Sequence, residues 1–400
     1  MGVSMKVIAS LRSGIMLFLC SLISPVFACG QSAPGVTDNE ILIGSCAALE
    51  GPSSFLGRET VGGAEIYFRM INEEGGINGR KLRLLSVDDS YDPAKTQACW
   101  DKLMAQKVFA MGFFVGTPTA VKYVPLAESN KVPLIGLFTG AQTLYTPLRH
   151  WVVNVRASYG DETQEIVDGI WKSLHYKKIA VIYPEDAFGQ TVLKGVQEAL
   201  QKEGSAPIAI ASYVRQTAQV DSAIDKVRAA APEAVVVVGP SNTVAPILKQ
   251  AHAANWKPLF VTVSFVGTDE LIQDAGADSE GVVVTQVVPP YYLTDLKTVA
   301  LYRRNLQKYT PAVRPNFVSL EGFVDAMVMV EGLKKAGKEP TRESLITAIE
   351  SLHEMDLGLG PQLKLDYSAK DHKGFDHVIP TVVRGGRAVP FTDWSTVIGK

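Results

Sequence analysis

Metal-ligating residues are sparse in this 400-residue chain: four cysteines, and six histidines (His150, His175, His252, His353, His372, His377) with no C-x-x-C or H-x-x-x-H spacing among them. That scarcity excludes the common zinc and redox motifs. Charge of one sign is also lacking. The 39 basic and 41 acidic residues leave a net charge of −2, and no basic stripe or acidic block departs from that balance, so there is no electrostatic footprint for nucleic acid. After residue 28 the longest apolar run is the strand-like "AVVVVG", too short to cross a bilayer. No G-x-S-x-G elbow and no P-loop occur, and the glycine-rich "GGINGR" at 75–80 follows a helical stretch instead of opening one. Neither nucleophilic catalysis nor phosphate cradling is indicated, and no cofactor is expected.

What is present begins with a leader. Lys6 and Arg12 precede "GIMLFLCSLI", followed by Pro25 and the small-residue ending "VFA", which reads as a secretory signal over 1–28. "VFAC" also approximates a lipoprotein box with Cys29 as the lipidated residue. Export would leave Cys29, Cys46 and Cys99. Two arrangements satisfy that odd number: Cys46 bonded to Cys99 with Cys29 lipidated or free, or buried unpaired thiols.

Beyond the leader, short β-branched runs alternate with amphipathic stretches. The first series has strands in "EILIGSCAAL", "KLRLLSVDD" and "VFAMGFFVG". The helix "GRETVGGAEIYFRMINEEGG" ends in paired glycines, and a second begins at "DPAKTQACWDKLMAQ" with Asp92 as N-cap. A second series runs from "KKIAVIYPED" to "AVVVVGP". "VFAMGFFVGTPTAV" and "EAVVVVGPSNTVAP" share one plan of strand, glycine-led polar tip and helix. The chain therefore reads as α/β, with two doubly wound parallel-sheet lobes whose strand tips, "GTPT" and "GPSN", face a shared cleft.

Several tip residues suit ligand contact. Gly116 admits close approach to the backbone, and Thr117 offers a hydroxyl and an amide at a helix start, where anions are favoured. Thr139, Gly140, Ala141 and Gln142 continue that wall. Tyr159 and Asp161 lie in the candidate inter-lobe crossing "RASYGDET", and Phe188 stands at a strand-to-helix junction of the second half. Each has a plainer role available: Thr117 or Thr119 as a helix cap, Asp161 as the cap of the helix that follows it, Phe188 as packing.

The strings "NEEGGINGRKLRLLSVDDSYDPAKT", "YPEDAFGQ" and "LEGFVDAMVMVEGLKKAG" resemble the type I periplasmic solute-binding proteins of ABC transporters, the leucine/isoleucine/valine-binding group, from Asn39 to about Asp393. The resemblance implies a two-lobe "Venus flytrap" with a three-segment hinge. Its crossings would lie near Arg156, Val288–Pro290 and Leu359–Pro361, giving one lobe of 39–156 with 290–358 and another of 157–289 with 359–394. It further implies a non-enzymatic, monomeric periplasmic protein that captures a small hydrophobic, leucine-like amino acid or an aromatic or aliphatic carboxylate and delivers it to an ABC permease in the inner membrane. A ligand-sensing subunit of a membrane receptor is the alternative use of the same fold. In relatives the tips matching "GTPT" and "TGAQ" hold carboxylate and ammonium, and an aromatic at Phe188 covers the ligand. The acidic residue that pairs with the ammonium falls here at Ser264, beside Phe265. Serine cannot supply that charge-assisted bond, so either Asp161 takes the role or the ligand lacks an α-amino group. Phe55 and Leu56 stand where relatives carry tryptophan, and Pro240 and Ser241 where some carry tyrosine. An enzyme using Asp161 and Glu185 as a carboxylate pair would still want a nucleophile or metal.

Overall fold

The computed structural model describes residues 1–4, 33–215, 217 and 219–398. The apolar part of the leader and Cys29 lie outside the described residues. The first half forms β1 (Glu40–Ala47), α1 (Ser54–Glu73), β2 (Lys81–Asp88), α2 (Thr96–Ala105), β3 (Ala110–Gly112), α3 (Thr117–Asn130), β4 (Leu134–Ile135) and β5 (Val152–Val153). The second forms α4 (Tyr159–Asp168), β6 (Ile179–Pro184), α5 (Ala187–Lys202), β7 (Ala209–Tyr213), α6 (Asp221–Ala229), β8 (Ala234–Val237), α7 (Ser241–Ala253), β9 (Leu259–Thr262), α8 (Thr268–Ala275) and β10 (Val283–Gln286). Then come α9 (Lys297–Tyr309), α10 (Phe317–Lys335), α11 (Arg342–Glu350), a short pair β11 (Met355–Asp356) and β12 (Lys364–Leu365), β13 (Ile379–Arg384) and β14 (Arg387–Pro390).

The strand orders are β2-β1-β3-β4-β5 and β14-β13-β10-β9-β8-β6-β7. Reading the second as β7-β6-β8-β9-β10 recovers the order of the first, all in parallel, with β13 and β14 added antiparallel at one edge. The repeat in the sequence is thus a repeat in topology. Helices on both faces explain why β8 is buried at every position and β1 at nearly every one, without hydrophobic alternation.

Two glycines bring helices into contact. A Cβ on Gly63 of α1 would sit 1.9 Å from the Ser319 carbonyl of α10, and one on Gly322 would sit 2.0 Å from the Thr60 carbonyl. Only glycine permits that approach, and it fixes where α10 presents its buried carboxyl groups.

Some boundaries differ from expectation. The run "VFAMGFFVG" is a strand only over 110–112, because Phe113 takes φ 65° and turns the chain out of the ladder. Asp92 does not cap α2; it accepts from the Ala94 amide in a turn, and the helix starts at Thr96. The crossing expected at 359–361 also comes later. Residues through Phe375 still run beside β5, with Gly374 N donating to Asn154 O and Phe375 N to Val155 O. Tyr367 adds a hydroxyl bond to Asn154 O, and the chain joins the second sheet only at β13.

Cys46 of β1 and Cys99 of α2 form a disulfide with Cα atoms 6.1 Å apart and 53 residues of separation. Closing a loop of that length restricts the unfolded chain, so Cys46→Ser with Cys99→Ser is expected to lower stability by about 2–4 kcal/mol, read by urea unfolding with and without reductant.

Candidate functional site

The first wall of the site is set by a strained turn. Ser90 and Tyr91 both adopt positive φ, and buried Asp89 anchors the turn by accepting from the Tyr91 amide (2.9 Å) and the Tyr123 hydroxyl (2.8 Å). Burial raises the Asp89 carboxyl to about 6. The turn lays the Tyr91 ring against Gly116, where a Cβ would lie 1.9 Å from a ring carbon. Glycine at 116 therefore serves the approach of Tyr91, where the sequence suggested the approach of a ligand.

The next tip brings Thr139 to Thr117. Their hydroxyls are 2.7 Å apart, and both residues are fully buried. Thr119 turns back instead, donating to the carbonyls of Val115 and Gly116. Gly140 accepts from the Tyr159 amide at 2.7 Å, which ties this tip to the start of α4. Ala141 is buried beside it, but Gln142 is exposed and lines a separate cavity of about 420 Å³ with Gly160 and Lys194.

The second wall comes from α4, α5 and the tip after β9. Phe265 is central, with ring centroids 5.8 Å from Tyr91, 5.6 Å from Phe138 and 4.5 Å from Phe188. Phe188 also meets Tyr159 at 5.2 Å. Leu56 packs at Gly267, just past Phe265. Tips of both sheets thus contribute to one aromatic box. Pro240 and Ser241 do not join it: Ser241 bonds to Asp274, and Gly239 lies against the Tyr213 hydroxyl. The tip "GPSN" is therefore absorbed by its own half, and its place opposite "GTPT" is filled by Phe188 and Phe265.

Beneath the box lies Arg156, 2% exposed. Its Nη1 donates to Glu321 (3.0 Å), and its Nη2 donates to Glu162 (3.1 Å) and Ser264. The guanidinium carbon lies 5.2 Å from the Phe138 ring centroid and 5.7 Å from that of Tyr159. Glu162 accepts four times: from Arg156, the Ser264 amide (2.7 Å), the Ser264 hydroxyl (2.9 Å) and Thr285 (2.5 Å). Burial pushes Glu321 up to about 7 against the pull of Arg156, and pushes Asp325 well above the usual range, helped by the charge of Glu321. A second clasp sits at the rim, where Arg215 pairs with Asp186 (2.9 Å), donates to Tyr91 O (2.8 Å) and stacks 4.6 Å from the Tyr91 ring centroid.

Asp161 does not enter the box. It closes a capping box with Ser158 and pairs with Lys373 at 2.9 Å. Glu185 accepts from Ser212, so the two are not a catalytic pair. The network of Arg156, Glu162 and Glu321, with Tyr91 and Phe138, was not singled out from the sequence. The available signal was Glu321 and Asp325, one turn apart in a stretch of α10 over 317–330 that is apolar apart from them and Ser319.

A family model described as periplasmic binding protein matches residues 40–387. An "Amino acid binding protein" of Pseudomonas aeruginosa is 26% identical over 295 residues, covering 72% of this chain and 76% of that protein. A "Leu/Ile/Val-binding protein homolog 3" of Brucella melitensis is 24% identical, covering 80% and 86%. The crystal structure of "a possible leucine/isoleucine/valine-binding protein" from Rhodopirellula baltica superposes with a TM-score of 0.86 at 30% identity, covering 92% of this chain and all of that one. These relatives are named as binding proteins, not enzymes.

The network has a measurable cost when broken. Glu162→Ala leaves a buried guanidinium short of its partner and is expected to destabilise the protein by about 3–5 kcal/mol in urea unfolding. Asp161→Asn, which touches only a cap and a partly exposed ion pair, should cost about 1 kcal/mol.

Proposed function

This chain belongs to the periplasmic binding protein family, and from that premise we propose that it is the ligand-capturing component of an ABC importer. Residues 39–156 with 290–375, and 157–289 with 376–394, act as two lobes that close over one small molecule and present it to an inner-membrane permease. The ligand class is a small hydrophobic, leucine-like amino acid or an aromatic or aliphatic carboxylate. The leader exports the protein as a monomer, and Cys29 tethers it if the leader is cut in lipoprotein fashion. Among the described residues no helix is long and apolar enough to cross a membrane.

The observation that carries this reading is the meeting of rings from both sheets, Tyr91 and Phe138 with Phe188 and Phe265, beside the Thr117–Thr139 hydroxyl pair. An apolar enclosure with a few convergent polar groups is how proteins hold small molecules. Closing it excludes water and strengthens each polar contact, and the hinge lets occupancy bias the equilibrium between open and closed forms.

Leucine, phenylalanine and benzoate, titrated separately while melting temperature is followed, should include at least one compound that raises it. A flat response to every amino acid, carboxylate and amide tried would contradict the assignment. Thr117→Val should weaken a carboxylate by roughly 1–3 kcal/mol. Unaltered affinity would reduce Thr117 to a partner of Thr139.

A further inference from the structure

Two side chains of the second half reach across to the first half, and both grip main chain there. Arg215 follows β7, the edge strand that corresponds to β2 in the repeated strand order, and its Nη2 donates to the carbonyl of Tyr91, just past β2, at 2.8 Å. Through Nε the same guanidinium holds Asp186 (2.9 Å), and Asp186 accepts from the Gly189 amide as the N-cap of α5. One cation thus joins the turn that carries Tyr91 to the helix start that carries Phe188.

Asp269 works with the opposite charge. It lies in the first turn of α8, and its Oδ2 accepts from the amide of Phe317, the first residue of α10, at 3.1 Å. A helix start presents unsatisfied amides and favours a carboxylate. Asn316 caps the Ser319 amide, so Asp269 takes an amide that the helix's own cap leaves over. The Oδ1 of Asp269 accepts from the Tyr291 hydroxyl (2.7 Å), next to the second crossing, and the Tyr291 ring packs 5.2 Å from that of Phe317. Asn316 also donates to Glu59 of α1 (2.7 Å), so what Asp269 grips is fixed within the first half. Asp269 stands four residues past Phe265, and Gly267 between them lies against Leu56, so this contact and the aromatic box close together.

Resting on the reading of the two halves as lobes that close over a ligand, we infer that Arg215 and Asp269 are latches that hold the closed form by contacts of the protein with itself, one at the Tyr91 rim and one at the start of α10. They are positioning residues: each bond runs from a side chain of one lobe to the main chain of the other. Releasing either shifts the equilibrium toward the open form and lets water reach the other.

Hydrogen exchange at the Phe317 amide tests this, because the bond that protects it shares no residue with the Arg215 clasp. In Arg215→Ala that exchange is expected to quicken about tenfold, as for the loss of one charge-assisted bond, with the melting temperature nearly held because each sheet keeps its own core. Arg215→Lys keeps a charge for Asp186 but not the flat fork that also meets Tyr91, and should fall between. Asp269→Asn keeps an acceptor for the amide and should protect it better than Asp269→Ala does. Unaltered exchange at Phe317 in Arg215→Ala would overturn the inference, since a rim contact of purely local effect does not reach α10. Small-angle scattering of the unsubstituted protein that fits only an open arrangement would overturn it as well. No ligand enters either measurement, so that failure leaves the transport reading standing, and failure of the transport reading shows in the melting titration instead.

Discussion

The structure turns on one buried guanidinium. Arg156 leaves the first sheet just after β5 and meets Glu162 on α4, Glu321 on α10 and Ser264 at the tip after β9. Taking such a charge out of water costs several kcal/mol, and only close, well-aligned partners offset it. Those partners come from segments far apart in the chain, so the cation can be satisfied only when both halves are in register. The position of Glu321 depends in turn on the near-contact of α1 and α10 allowed by Gly63 and Gly322. Backbone packing, charge pairing and the approach of the two halves are thus a single constraint.

The aromatic box follows from the same arrangement. Phe138 and Tyr159 flank the guanidinium, and Phe265 adjoins the serine that Arg156 holds. The rings are therefore placed by the polar network beneath them, and the network is kept dry by the rings. In so dry a setting every polar group left without a partner is costly, which is why the charges of this network must be met from several segments at once.

The architecture was legible in the sequence because it is written in periodicity. Alternating β-branched and amphipathic runs, repeated once, dictate two parallel sheets of the same order, and glycine pairs mark helix ends. The placement of Thr117, Tyr159 and Phe188 at helix starts was legible for a related reason, since in such sheets each strand hands over to a helix through a short polar or aromatic tip. Other features depend on contacts between distant segments. Nothing local distinguishes Glu162, which turns inward, from its neighbour Asp161, which caps the helix and meets Lys373. Tyr91 reaches the box through a positive-φ turn anchored by Asp89, a conformation that no pattern of residue types announced. The tip "GPSN" matched "GTPT" in sequence, but the Ser241–Asp274 bond and the close packing of Gly239 on Tyr213 hold it in its own half. The late third crossing was obscured because β12 pairs only with the two-residue β11, and residues 367–375 then bond to loop backbone and not within a long strand.

A crystal structure of the protein with 3-phenylpropionate bound measures the central claim directly. The account predicts density enclosed between the lobes, with the carboxylate at the Thr117 and Thr139 hydroxyls and the phenyl ring against Phe265. Density confined to the cavity of about 610 Å³ beside Glu59 and Asp269, away from those hydroxyls, would contradict it.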